Sequence, residues 1–85
     1  HLSLVGIRST IGMTSRDGVI PLLLNRDIAG PLTRTVTDAA KTFNIIAGYD
    51  AADTSTIPAK KHIKPDYTQY LKTNGLQGAR LGVLR

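Results

Sequence analysis

The chain contains no cysteine and no tryptophan, and its acidic residues are all aspartate. Without cysteine no disulfide can brace the fold, and two histidines are too few for an ordinary structural zinc site. Aromatic side chains are limited to Phe43, Tyr49, Tyr67 and Tyr70, so the large rings that dominate the burial of small domains are nearly missing. No apolar run approaches the roughly 20 residues of a membrane helix. The longest, residues 4–7 and 19–24, are strand-length. A domain of 85 residues buries only about 60% of the surface of its unfolded chain, and here packing alone must hold it. The chain opens on His1 rather than Met and closes on the apolar run LGVLR. These features predict a segment of one larger domain, with the remainder of the parent chain needed for a stable fold.

The positive features begin with charge. Eleven Lys and Arg against six Asp give a net charge of +5, which in principle suits a nucleic acid or an anionic surface. The basic residues are spread from Arg8 to Arg85, and only Lys60, Lys61 and Lys64, around His62, form a cluster. With no aromatic residues interleaved for stacking, that cluster reads as a solvated loop, and no nucleic-acid or membrane partner is expected. No targeting segment is visible, so localisation is not legible.

Local patterns predict an alternation of strand, helix and strand, hence an α/β class. Residues 4–8 are a short apolar run suited to a strand, and Gly12 with the stretch SRDG at 15–18 supplies turns. Residues 19–24 resume as an extended apolar segment broken by Pro21, which suits an edge or irregular stretch. Gly30 and Pro31 mark a further turn.

The strongest local signal is a helix after Thr35. Thr35 is a suitable N-cap, and Asp38 three residues on forms an acidic capping box and meets the positive end of the helix dipole. Val36, Ala39, Ala40, Phe43 and Ile46 or Ala47 define one apolar stripe, and Gly48 is placed to end the helix in the left-handed conformation. Residues 49–65 are polar and turn-rich and predict a surface loop. Asp66 can cap a short helix over 67–73 that Asn74 and Gly75 end, and residues 79–85 read as a buried strand whose neighbours lie elsewhere.

The chemistry available to these residues is slight. Ser3, Ser9, Ser15 and Ser55 lie outside any GxSxG elbow, and the spacing of His62 to any serine or aspartate supports no triad. Asp27 is expected to order its loop through a contact with Arg34 or with nearby backbone, Asp38 to cap, and Asp50 and Asp53 to act as turn residues. Gly6, Gly12 and Gly18 do not make a phosphate loop, and no cofactor or metal is implied. The expected set of catalytic, cofactor-binding and metal-binding residues is empty.

Five phrases nevertheless recur in order: LVGIRST at 4–10, GMTSRDGVIP at 12–21, DIAGPLTRTVTDAA at 27–40, IIAGYDAAD at 45–53 and QGARLGVLR at 77–85. Together they resemble the amidase signature family, in which similar phrases follow the catalytic serine; residues 54–75 are the least matched. Arg8, Ser9 and Thr10 stand where many members carry Lys, Pro and Thr, and Asn25 and Arg26 replace a Ser and Leu, so the subfamily is left open. The wording NRDIAGP is nearer to stand-alone amidases than to the A subunit of the tRNA-dependent amidotransferase. The resemblance implies a partial segment of an α/β/α fold with a mixed central sheet. It also implies hydrolysis of small-molecule amides by a serine, a bridging serine on a cis peptide and a lysine, all preceding His1. A basic binding module, or a structural domain that has lost catalysis, remain as the other readings.

Overall fold

A computed structural model describes residues 2–84, so His1 and Arg85 lie outside the described residues. The helix α1, Val36–Ile46, follows from its cap. Thr35 is held extended (φ −128°, ψ 155°), and its side-chain oxygen accepts the Asp38 backbone N–H at 3.1 Å, which satisfies one of the orphan donors of the first turn. Among the described residues only this half of the capping box forms.

The buried stripe of α1 is narrower than the apolar pattern. Ala39, Ala40 and Phe43 are buried, whereas Val36 is 59% exposed and Ile46 38% exposed. The reason lies in what α1 packs against: the strand pair and the short turn at Tyr67–Tyr70, which together cover only the middle of one face. Small alanines let these segments approach, and Phe43 meets Tyr67 edge to face with ring centroids 4.9 Å apart. Burial of the Phe43 ring contributes about 1.5–3 kcal/mol.

Helix α1 stops without a left-handed glycine. Ala47 turns to extended geometry (φ −76°, ψ 127°), its N–H donates to Phe43 O, and it bridges Thr14 in antiparallel fashion. Gly48 then donates its N–H to Met13 O at 3.0 Å, and its φ is not positive. Pairing with residues 13–14 takes the place of the C′ motif expected at Gly48, because the chain leaves the helix directly into a bridge.

The strand predicted over 4–8 condenses to β1, Val5–Gly6, and its partner is β2, Leu32–Thr33. The two run antiparallel with Val5 opposite Thr33 and Gly6 opposite Leu32, and Ile7 extends the ladder by donating to Pro31 O at 3.3 Å. Gly30 and Pro31 therefore lead into β2 instead of forming a turn. A Cβ at Gly30 would collide with the Ile7 carbonyl oxygen, so glycine is needed here for close approach of the two backbones.

Two further corrections concern the C-terminal half. Residues 49–65 are not irregular throughout: a 3₁₀ helix spans Thr54–Lys61, started by Asp53, whose side chain accepts the Ser55 N–H. After Asp66, which caps as expected by accepting the Thr68 N–H, the second 3₁₀ turn covers only Tyr67–Tyr70. It ends before 73 because Lys72 donates back to Tyr70 O in a tighter turn. Residues 79–84 make no strand among the described residues and are exposed, Leu81 by 72% and Val83 by 79%, since no segment lies alongside to pair with them. Residues 19–24 are irregular, as Pro21 requires. Among the described residues the regular structure is helices and one two-stranded antiparallel sheet.

Replacing the cap tests this account. Thr35→Ala is expected to lower unfolding stability by about 1 kcal/mol, read from the urea midpoint at unchanged slope. A loss no larger than that of Thr37→Ala, which caps nothing, would contradict it.

Candidate functional site

The polar side chains concentrate where residues 14–17 meet residues 50–56. Asp50 and Asp53 are three apart and joined by their own antiparallel bridge, which turns both carboxylates toward the same neighbouring loop. Asp50 Oδ2 accepts the Ser15 hydroxyl at 2.6 Å, and its Oδ1 accepts the Ala52 N–H at 2.9 Å. Asp53 Oδ2 accepts the Arg16 backbone N–H at 2.8 Å, while Oδ1 takes the Ser55 N–H at 3.0 Å and the Ser55 hydroxyl at 2.6 Å. Thr56 is fully buried beneath them. Its hydroxyl accepts the Asp50 N–H at 2.9 Å and lies 2.7 Å from the Asp53 carbonyl oxygen.

Arg16 extends the knot to a third segment. Its Nε lies 4.0 Å from Asp53 Oδ2, and its Nη1 donates to the Leu24 carbonyl and, at 3.3 Å, to that of Asp27. The Asp27 carboxylate does not reach Arg34. Asp27 Oδ2 instead accepts the N–H groups of Leu22 (2.7 Å) and Leu23 (2.9 Å), closing the irregular loop that Pro21 opens. Of the two contacts expected for Asp27, the one with nearby backbone forms and the pair with Arg34 does not, because those N–H groups lie only four and five residues away in the chain. Thr14, 3% exposed, donates to the Ala29 carbonyl at 2.8 Å and completes the tie between the two loops.

Backbone shape makes this meeting possible. Gly12 adopts φ +88° and a Cβ there would strike the Ser55 carbonyl oxygen, so glycine admits the 3₁₀ helix to the knot. Gly18 at φ +79° turns the chain after Asp17, with the Val19 N–H returning to Arg16 O at 3.0 Å.

The chemistry of the knot is that of a clamp. The Ser15 hydroxyl and the Ala52 N–H hold the Asp50 carboxyl below its ordinary value, against the opposing effects of burial and the Asp53 charge. The Ser55 hydroxyl and the Arg16 N–H lower that of Asp53, and the Thr68 hydroxyl and Asn44 amide lower that of Asp66. Carboxylates so stabilised are weak bases and poorly suited to activating a serine. His62 is exposed as the residue that caps the end of Thr54–Lys61, as its lysine neighbours predict, and Lys60 is drawn over the Tyr49 ring at 3.8 Å. No group of three or more His, Cys, Asp or Glu suited to a metal ion occurs among the described residues.

Sequence reasoning placed Asp50 and Asp53 as turn residues correctly but missed Thr14, Ser15, Arg16 and Thr56. The only local signal was the run Asp53, Thr54, Ser55, Thr56, an N-cap pattern; Arg16 looked like one more dispersed charge.

A larger cavity of about 600 Å³ opens on the other side of the 7–13 segment, between it, Phe43 and the 3₁₀ helix Thr54–Lys61. Its walls are mostly apolar, with Thr10 and His62 as polar lining residues, and the hydroxyl of Ser9 beside it is shielded from solvent and has no hydrogen-bond partner among the described residues.

Comparison with known proteins is consistent along the whole chain. The family model described as Amidase matches residues 1–85. A protein of Arabidopsis thaliana named "Probable amidase" is 46% identical over 83 residues, covering 96% of this chain and 16% of the relative. The A subunit of the glutamyl-tRNA(Gln) amidotransferase of Caldanaerobacter subterraneus is 41% identical over 81 residues, covering 95% of this chain and 16% of the relative. Its counterpart in Salinibacter ruber is 42% identical over 79 residues, covering 93% and 15%. The chain thus spans about one sixth of the length of the curated relatives it matches. No solved structure matches it.

The depressed carboxyls set a pH dependence. A lowered folded-state value stabilises the fold above the unfolded carboxyl range near 3.9, and the contribution disappears as pH falls through the folded value. The urea midpoint should therefore be flat from about pH 7 to 5 and fall steadily below about pH 4. In Asp53→Asn the acid-side slope should be shallower; an unchanged slope would show that Asp53 does not carry it.

Proposed function

The chain belongs to the amidase family, and on that premise we propose that it is a scaffold segment of an enzyme hydrolysing carboxylic amide C–N bonds through an acyl-serine intermediate. In this reading the nucleophilic serine, the bridging serine on a cis peptide and the base lysine lie outside this chain. The serine attacks the amide carbonyl as the lysine takes its proton through the bridging serine, that proton passes to the amine as the C–N bond breaks, and water then cleaves the acyl-serine ester to the carboxylic acid and free serine. The segment itself supplies no catalytic residue. It contributes part of a single α/β/α domain with a mixed central sheet, to which β1 and β2 would belong, and the small-molecule amide is bound mainly by residues elsewhere.

The observation that supports this division of labour is the use made of the polar side chains. Ser15, Ser55, Asp50, Asp53 and Arg16 all spend their hydrogen bonds on fastening loops, and the carboxylates among them are weakened as bases. A stand-alone amidase is the first reading because one amidase-named relative reaches 46% identity, while another amidase-named relative and the amidotransferase subunits lie together at 40–42%. The amidotransferase relatives keep the second reading open to test. A full-length protein that releases ammonia from simple amides without glutamyl-tRNA supports the first; one that amidates glutamyl-tRNA supports the second.

The purified 85-residue chain is expected to show no turnover of an aryl amide such as 4-nitroacetanilide above the buffer rate. Turnover abolished by Ser15→Ala or Ser55→Ala would overturn the assignment of a purely structural role.

A further inference from the structure

We propose that Asn74 is a site of spontaneous deamidation: the Gly75 backbone nitrogen closes on the Asn74 side-chain amide, ammonia leaves, and water opens the resulting succinimide to aspartate and isoaspartate. The inference stands on the turns around Asn74 and goes beyond the amidase reading of the chain.

The chain contains three asparagines, and each is followed by a different residue: Asn25 by Arg26, Asn44 by Ile45 and Asn74 by Gly75. Ring closure brings the nitrogen of the following residue onto the asparagine Cγ, and a side chain on that residue obstructs the approach. Glycine has none and leaves the backbone the widest choice of angles. Asn74 therefore meets the least hindered nucleophile.

The surroundings sharpen the difference. Asn44 lies in α1, with Nδ2 donating to Asp66 Oδ1 at 2.8 Å and Oδ1 accepting the Tyr67 N–H at 2.7 Å, so its amide is held at both ends. The Arg26 N–H, which would attack Asn25, donates to Leu23 O at 2.9 Å in the loop that the Asp27 carboxylate closes. Residues 71–84, in contrast, are all exposed, and no hydrogen bond holds the Asn74 side-chain amide among the described residues. The backbone there follows successive turns, each closed by one bond: Gly75 N–H to Lys72 O at 3.1 Å, Gln77 N–H to Asn74 O at 3.0 Å and Ala79 N–H to Leu76 O at 2.9 Å. The first of these engages the attacking nitrogen, and a single exposed turn bond opens at little cost in free energy.

The step balances without oxidant, reductant or cofactor. Hydroxide removes the Gly75 N–H proton, the nitrogen's electron pair forms the bond to Cγ, and the Cγ–Nδ2 bond breaks as Nδ2 takes a proton from water and leaves as ammonia. Water then adds to either ring carbonyl. Attack at Cγ restores the ordinary backbone with an aspartate. Attack at the main-chain carbonyl gives isoaspartate, in which the chain runs through Cβ and Cγ and the former acceptor of the Gln77 N–H becomes part of a free carboxylate. Both products place a negative charge at 74, and isoaspartate also disrupts the turn that leads into residues 77–85.

A tryptic map of the full-length enzyme, sampled over days of native incubation in mildly alkaline buffer, provides the test. Cleavage after Lys72 and Arg80 isolates residues 73–80. Isoaspartate and aspartate forms of this peptide are expected together, each heavier by the exchange of NH₂ for OH. Asn74 should be lost at least about tenfold faster than Asn25 or Asn44, a barrier lower by about 1.4 kcal/mol or more. Asn74→Gln, whose closure needs a larger ring, should abolish both products. Gly75→Ala, at a φ that is not positive, should slow the loss of Asn74 by at least about tenfold. Retention of Asn74 in the native enzyme would overturn the proposal, and its conversion only after unfolding would show that the fold protects it. Aspartate without isoaspartate would overturn it too, because direct hydrolysis does not pass through the ring. Equal loss from all three asparagines would remove the assignment to this turn. None of these readouts needs turnover of an amide, so their failure and that of the proposed function are distinguishable.

Discussion

The hydrogen bonds of the Asp50 and Asp53 carboxylates are the constraint on which the placement of the loops depends. Besides Pro31, the buried apolar side chains among the described residues are Ala39, Ala40, Phe43 and Ala59, and three of these are alanines. Such a core has too little shape to position three long loops by packing. The carboxylates do so instead, since each accepts from groups that lie thirty-five or more residues away, Ser15 for Asp50 and the Arg16 N–H for Asp53. Arg16 passes the constraint on to the carbonyls of Leu24 and Asp27. Charge-assisted bonds are directional and short, which makes them better locators than aliphatic contacts.

Helix α1 and the strand pair are organised around this knot. The helix runs out into the bridge between Ala47 and Thr14, so its C-terminus is located by the same 13–16 segment that binds the carboxylates. At its other end β2 leads into Thr35 within two residues, and β2 is held by β1. Two glycines allow the approach: Gly12 beside Ser55 and Gly30 beside Ile7. Polar fastening inside is matched by apolar surface outside, with Ile20, Leu22, Leu24, Ile45 and Leu84 all largely exposed.

Legibility in the sequence followed the range of the interaction. Thr35 and Asp66 were readable as caps because the groups they satisfy lie two or three residues on. Asp53 was readable as a turn residue for the same reason, its bond to Ser55 being local. The Asp27–Arg34 pair failed because two residues of opposite charge nearby in sequence need not face each other, and backbone donors at Leu22 and Leu23 were nearer still. Gly48 as a left-handed stop failed because the termination is tertiary: Met13 and Thr14 draw the chain out of the helix. The exposed state of residues 79–84 shows the same limit, since a strand exists only when another lies beside it.

What the sequence by itself determined is the family, through ordered phrases such as DIAGPLTRTVTDAA, together with the capped helix and the turns, all set by groups within a few residues of one another. Only the tertiary structure decided that Gly30 leads into a strand, that Arg16 joins three loops, and that the Ser9 hydroxyl is shielded from solvent without a hydrogen-bond partner among the described residues. The physical reason is that these depend on which distant backbone comes within about 3 Å, a distance that no periodicity or capping rule encodes.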